Sequence, residues 1–162
     1  PTQACESGKH WEWDGVRFTL WRWADGRNSN QRSCVLQIEA NGERMLLTGD
    51  IDALAERVLL KSPLAVPTDW LQAPHHGSRS SSSEALVRTL APRAVLISRG
   101  HGNAFGHPHP QVIARYQRHG VAILDSAEQG AVRVQLGDFQ PAQAMRDATR
   151  FWRSAPPASH AP

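Results

Sequence analysis

The chain has 162 residues, 40% of them hydrophobic and 20% charged, with 18 basic side chains against 15 acidic. That length supports one domain with a real core and excludes two ordinary ones. No stretch approaches the roughly 18 apolar residues a membrane span needs, and the composition is neither collagen-like nor that of a wholly disordered chain. A net charge of +3 permits an anionic partner without demanding one.

The chain opens at Pro1 with neither an initiator methionine nor a basic-then-apolar leader, which reads as a segment of a larger protein. Cys5 and Cys34 are too few for a disulfide framework and lack metal-finger spacing. Either they bridge in an oxidising compartment, or they are separate thiols with Cys34 buried in a strand.

Val16 to Leu20 alternates apolar and polar residues, as a strand with one wet face does. Trp11, Trp13, Trp21 and Trp23 flank it, and packing against a sheet is the first expectation for them. Cys34–Glu39, an Asn41-Gly42 turn and Arg44–Thr48 form a hairpin whose second strand ends on Gly49-Asp50. A short helix follows through Leu54, Val58 and Leu59, with Asp52 near its N-cap. Asp69–Ala73 is a strand that runs into Pro74-His75-His76-Gly77-Ser78. Ser81 and Glu84 have capping-box spacing, so the serine run 80–83 starts a helix that ends before Pro92.

Ala94–Ile97 is an apolar strand covered on both faces, and a Gly- and His-rich loop spans 100–109. Pro110 at N1, Val112, Ile113 and Tyr116 on one face and Gly120 past the end frame a third helix. Val121–Leu124 and Ala131–Leu136 read as closing strands around a turn at 128–130. The predicted order is β-β-β-α-β-α-β-α-β-β, an α/β layered domain over 1–139. Residues 140–162 are a Pro/Ala-rich tail, partly disordered, with a short helix over 142–153.

Three clusters sit just after predicted strands: Thr48-Gly49-Asp50, His75-His76-Gly77-Ser78 and the loop 100–109. Loops at the same strand ends converge on one rim, where sites are built. Asp and His are the ligands of a hydrolytic zinc or manganese site: a carboxylate bridges two cations and neutral imidazoles fill the remaining positions. Five of the eight histidines fall between 75 and 109, more than an even spread would place there. Taken singly, Asp50 also suits a helix cap and His109 a cap before Pro110. No G-x-S-x-G elbow supports Ser78 as a nucleophile.

Taken together, Trp13-Asp14-Gly15-Val16, Ser33-Cys34-Val35-Leu36, Leu46–Ile51, Pro74–Ser78 and Ser98 through Asn103 to Gly106-His107-Pro108-His109 form an ordered set over about 10–137. The set resembles the metallo-β-lactamase-like domain at the C-terminal end of ComEC-type DNA-internalisation (competence) proteins. "HHGS" alone also suits phosphorylcholine esterases and other hydrolases of the fold. The resemblance implies an αββα sandwich holding up to two divalent metals (Zn or Mn), with Asp50 as bridging carboxylate and one of His75 and His76 as ligand, His76 being favoured by the H-x-S order of related nucleases. It implies that the other imidazole, His75 on that choice, orients a phosphate or moves a proton, and that His107 is a ligand or a substrate contact. Asn103 lines the same cleft, and Ser78, Arg79 and Arg99 stand beside the ligands to meet a DNA backbone.

The family's first metal motif, H-x-[HD]-x-D-H, matches nothing in this sequence. The chain therefore looks like the C-terminal half of the sandwich, expected to bind metal weakly and to hydrolyse nothing at a useful rate alone. The implied partners are single-stranded DNA, the remainder of its own membrane protein and, through an exposed apolar face, a second copy. The implied location is the outer side of the cytoplasmic membrane, which a Cys5–Cys34 bridge would fit. Two rival classes are an esterase or lactonase of the same fold and a DNA-binding module without metals.

Overall fold

A computed structural model describes residues 4–146. Alternating residues near the N-terminus form not one strand but two: β1 (His10–Trp13) and β2 (Val16–Trp21) meet at an Asp14-Gly15 turn. β3 (Val35–Ala40) and β4 (Glu43–Leu47) continue the antiparallel meander through Asn41-Gly42, both at positive φ as the tight turn requires. From β4 onward the sheet is parallel, through β5 (Trp70–Gln72), β6 (Ala94–Ile97) and β7 (Ala122–Asp125). The seven strands lie in sequence order.

Three helices make the crossovers: α1 (Ala53–Leu59), α2 (Glu84–Leu90) and α3 (Pro110–Arg118). Steps that advance one strand at a time with the usual right-handed crossover put every helix on the same face. Ile51, Leu59, Leu86, Leu90, Val112 and Tyr116 accordingly pack with Val35, Leu46, Leu71, Val95 and Ile97 in one buried cluster.

Several expectations change. The cap of α2 is Ser83, whose hydroxyl accepts from Leu86 N–H, and not Ser81. Ser81 and Ser82 are instead buried. Their turn carries a polar knot in which Ser82 and Ser83 N–H groups donate to Glu56 and the Tyr116 hydroxyl lies 2.9 Å from the Ser82 hydroxyl. Burial raises the Glu56 carboxyl above its usual value even against those bonds. The turn expected at 128–130 is the end of a short helix, α4 (Ser126–Gln129), capped by Asp125. Only Val132–Arg133 (β8) of the stretch 131–136 is a strand. It leaves the main sheet to pair with β9 (Gln143–Ala144), where a helix was expected; the rest of the stretch beyond 146 lies outside the described residues.

The second face of the sheet carries Phe18, Leu20, Leu36, Ile38, Met45 and Leu47, all half-buried, with Trp11 and Trp13 exposed at its β1 edge. The packing expected of those two tryptophans reduces to a stack of Trp11 on Phe18, centroids 5.0 Å apart. Buried Trp21 fulfils it, and Trp23 packs partly buried against the core. Part of this face is crossed by the segment after β8. Fully buried Glu43 anchors that segment, accepting from the Trp70 indole at 2.7 Å, Gly137 N–H at 2.7 Å and Phe139 N–H at 2.9 Å. Burial alone would raise this carboxyl, but those three donors and nearby Arg93 hold it below its usual value.

Candidate active site

Because β4, β5 and β6 are parallel, the loops after them leave from one rim, as the sequence pattern requires. Backbone bonds sew the loops together. His75 N–H donates to Gly49 C=O at 3.0 Å, Ala53 N–H to Ser80 C=O at 2.8 Å, and His109 N–H to Gly77 C=O at 2.9 Å. Gln72 braces the first loop, its side-chain oxygen accepting from Thr48 and Gly49 N–H. Ser33 braces Asp50 from the other side, its hydroxyl accepting from the Asp50 N–H at 3.2 Å. The helix cap is Asp52, which accepts from Leu54 and Ala55 N–H, so the Asp50 carboxylate is left for the rim.

His75 and His76 lie in the 3-10 turn Pro74–Gly77 and both take left-handed backbone angles, φ 48° and 56°. Such angles cost a non-glycine residue of order 1–3 kcal/mol and persist where the surroundings dictate them. The result aims two adjacent imidazoles differently. The His76 Nδ1 sits 2.7 Å from the Ser98 carbonyl oxygen, which can only accept, so Nδ1 carries the proton. In neutral His76 the lone pair then belongs to Nε2, which faces Asp50 Oδ1 at 3.5 Å. The His75 Nδ1 is buried without a hydrogen-bond partner, and its ring lies edge-on to His107 at 5.7 Å. Burial, then the neighbouring His75, His76 and His109, hold His107 below the usual imidazole value. Its neutral form is favoured accordingly.

Gly77 closes this turn at φ 79°, and a Cβ there would stand 2.7 Å from Pro108 Cβ. Glycine is required on both counts. Gly77→Ala is expected to lower stability by about 2 kcal/mol and to loosen the seam between the second and third loops. Urea denaturation checks this, and an unchanged midpoint would show that the seam yields freely.

The structure separates the remaining sequence candidates. Arg79 is exposed at the rim. Ser78 is largely buried, and its hydroxyl lies 3.2 Å from the Ser80 hydroxyl, where it shapes the turn. Arg99 lines the cleft with its guanidinium paired to Asp125 at 2.6 Å and Glu128 at 2.9 Å, which offsets its charge. Asn103 reaches the cleft but acts as a clamp, donating to His107 C=O at 2.7 Å and accepting from His107 N–H at 3.0 Å. His109 caps α3. His76, Ser98, Arg99, Gly100, Asn103, Phe105 and His107 line a cleft of about 310 Å³. Ser98 and Ser33 stood inside the quoted motifs without a role; the carbonyl of one and the hydroxyl of the other set the two donor groups. Phe105, 82% exposed, had no signal beyond its place in the loop.

The donor set can be tested against the metals of the fold. Two ligands of one tetrahedral zinc, each about 2.0–2.1 Å from it, stand about 3.4 Å apart. The Asp50–His76 separation of 3.5 Å, with a lone pair facing a carboxylate and the far nitrogen tied to a carbonyl, fits such a shared edge. Among the described residues no group of three or more His, Cys, Asp or Glu could hold a metal ion. Asp50 and His76 thus offer two donors that would suit one edge of such a centre.

Cys5 and Cys34 are bridged. Cys34 is exposed just ahead of β3, one residue from Ser33, not buried in the strand. The bridge pins the N-terminal segment beside the first loop.

A family profile described as the Metallo-beta-lactamase superfamily matches residues 8–101, and the chain belongs to that superfamily. Its curated relatives include competence proteins of the ComEC type. It is 34% identical over 152 residues to Competence protein ComA of Neisseria gonorrhoeae, covering 91% of this chain and 22% of that one. Recombination protein 2 of Haemophilus influenzae is 34% identical over 132 residues, covering 80% of this chain and 16% of the relative. ComE operon protein 3 of Bacillus subtilis is 32% identical over 109 residues, covering 67% and 14%. The chain spans about a fifth of the length of these relatives or less.

Proposed function

We propose that the chain supplies one wall of a metal-dependent phosphodiesterase that cleaves one DNA strand during uptake by a competence-type membrane protein. The carrying observation is the Asp50–His76 edge, with its fixed imidazole tautomer, on a rim built from three loops. Asp50 and His76 would hold divalent cations (zinc or manganese), which when bound supply Lewis-acid activation of water and offset charge at phosphorus. His76 is oriented by the Ser98 carbonyl and Asp50 by Ser33. His107, its neutral form favoured and its backbone clamped by Asn103, accepts or holds a proton at the cleft wall, and His75 positions its ring. Arg79 draws the phosphate backbone to the rim.

The lack of a third donor among the described residues supports a centre completed by the remainder of the same membrane protein. The half-wet apolar face supports an adjoining layer or a second copy covering it. The Cys5–Cys34 bridge supports an oxidising location, outside the cytoplasmic membrane. Among the described residues no helix is long and apolar enough to cross a membrane.

The test is a substrate comparison with the purified longer protein. With Mn²⁺ or Zn²⁺ it is expected to cleave single-stranded DNA, to stop on chelation, and to leave phosphorylcholine esters and lactones intact. Turnover of those esters with DNA untouched would reassign the site to the esterase class.

A further inference from the structure

Phe105 is the most exposed large apolar side chain among those described, and it is not isolated. Its inner face stacks on His107, centroids 5.9 Å apart and planes 26° from parallel. His107 meets His75 at 5.7 Å, His75 meets His76 at 6.4 Å, and His76 faces Asp50. A row of rings therefore runs from the loop tip to the carboxylate. The row is held from behind, because Asn103 bonds both backbone groups of His107. Phe105 and His107 line the same cleft as His76. The outer face of the phenyl ring is open to water.

We infer that Phe105 is a stacking platform for one unpaired nucleobase, which places the attached phosphate toward Asp50 and His76. This rests on the phosphodiester reading above and narrows its substrate to single strands. A duplex keeps both faces of each base covered by neighbours, so it has no free π-face to offer the ring, whereas an unpaired strand does. Every base has such a face, so the platform tolerates sequence, as a protein handling arbitrary DNA requires. With the Arg99 guanidinium engaged by two carboxylates, the cleft wall grips by ring contact more than by charge.

The test uses the 162-residue chain with chelator present, so that nothing is cut, and fluorescence anisotropy of a short labelled oligodeoxynucleotide. Phe105→Ala is expected to weaken single-strand binding roughly 5- to 150-fold, the range of one lost base stack. Phe105→Trp should restore it. The slope of log affinity against log salt should not change, because no phosphate contact is removed. An oligonucleotide of abasic sugar-phosphate should bind wild type and Phe105→Ala equally. Equal affinities of the two proteins for the natural strand, or an equal loss on the abasic strand, would overturn the platform and leave the hydrolase reading standing. Failure of the wild-type chain to bind any DNA would overturn the platform, while the hydrolase reading answers to cleavage by the longer protein.

Discussion

Alanine in place of Asp50 is expected to cut metal-dependent DNA cleavage by the longer protein about a thousandfold or more while leaving its fold intact. The size follows from the role: Lewis-acid stabilisation is worth several kcal/mol of barrier, and each 1.36 kcal/mol is tenfold in rate. The intact fold follows from where the carboxylate sits. Asp52 caps α1, and it is the backbone N–H of residue 50, not its side chain, that bonds Ser33. The variant should therefore keep its circular dichroism spectrum and melting temperature and lose only turnover. Cleavage within tenfold of wild type would remove Asp50 from the site. A collapsed fold would mean that the carboxylate has a structural duty not visible in its hydrogen bonds.

Cutting the Cys5–Cys34 bridge, by reductant or by the double Cys→Ser variant, is expected to destabilise the chain by about 3–4 kcal/mol. The bonded residues are 29 apart in sequence, and closing a loop of that size restricts the unfolded chain by roughly that amount. The bridge has company: Gly8 N–H donates to Leu20 C=O, Leu20 N–H to Lys9 C=O, and Ser7 exchanges bonds with Arg22. These hold the segment only while it is near, so the loss should appear as fraying of β1 before global unfolding. Urea midpoints measured with and without dithiothreitol read the stability, and amide exchange over 8–20 reads the fraying. Identical midpoints would show the bridge to be dispensable.

Much of this fold was legible because the helix face obeys simple periods. Val112 and Tyr116 sit on one side of α3 as their spacing requires, and Asp52 and His109 cap where a polar residue meets a helix start. The site rim was legible for the same reason: a glycine or histidine cluster after each of three strands becomes one edge once those strands are parallel. What failed was short-range and depended on tertiary partners. Ser81 has the spacing of a cap, but its hydroxyl is bound to Pro74 and Ser78 carbonyls, and burial beside Glu56 hands the cap to Ser83. Ala131–Leu136 alternates like a strand, yet only two of its residues pair, because the segment is drawn off by Glu43, nearly a hundred positions away. Arg99 reads as a free cation until Asp125 and Glu128, also distant in sequence, close on it.

The seams between the three loops are made of main-chain amides and carbonyls, at His75–Gly49, Ala53–Ser80 and His109–Gly77. Such contacts are indifferent to which side chain each residue carries. The rim thus resembles a socket whose pins can be exchanged one at a time: a new side chain at 50 or 107 alters the chemistry without asking the socket to refold. Substitution at those pins should therefore cost chemistry before it costs stability, whereas the glycine at 77 beneath them is fixed by its backbone.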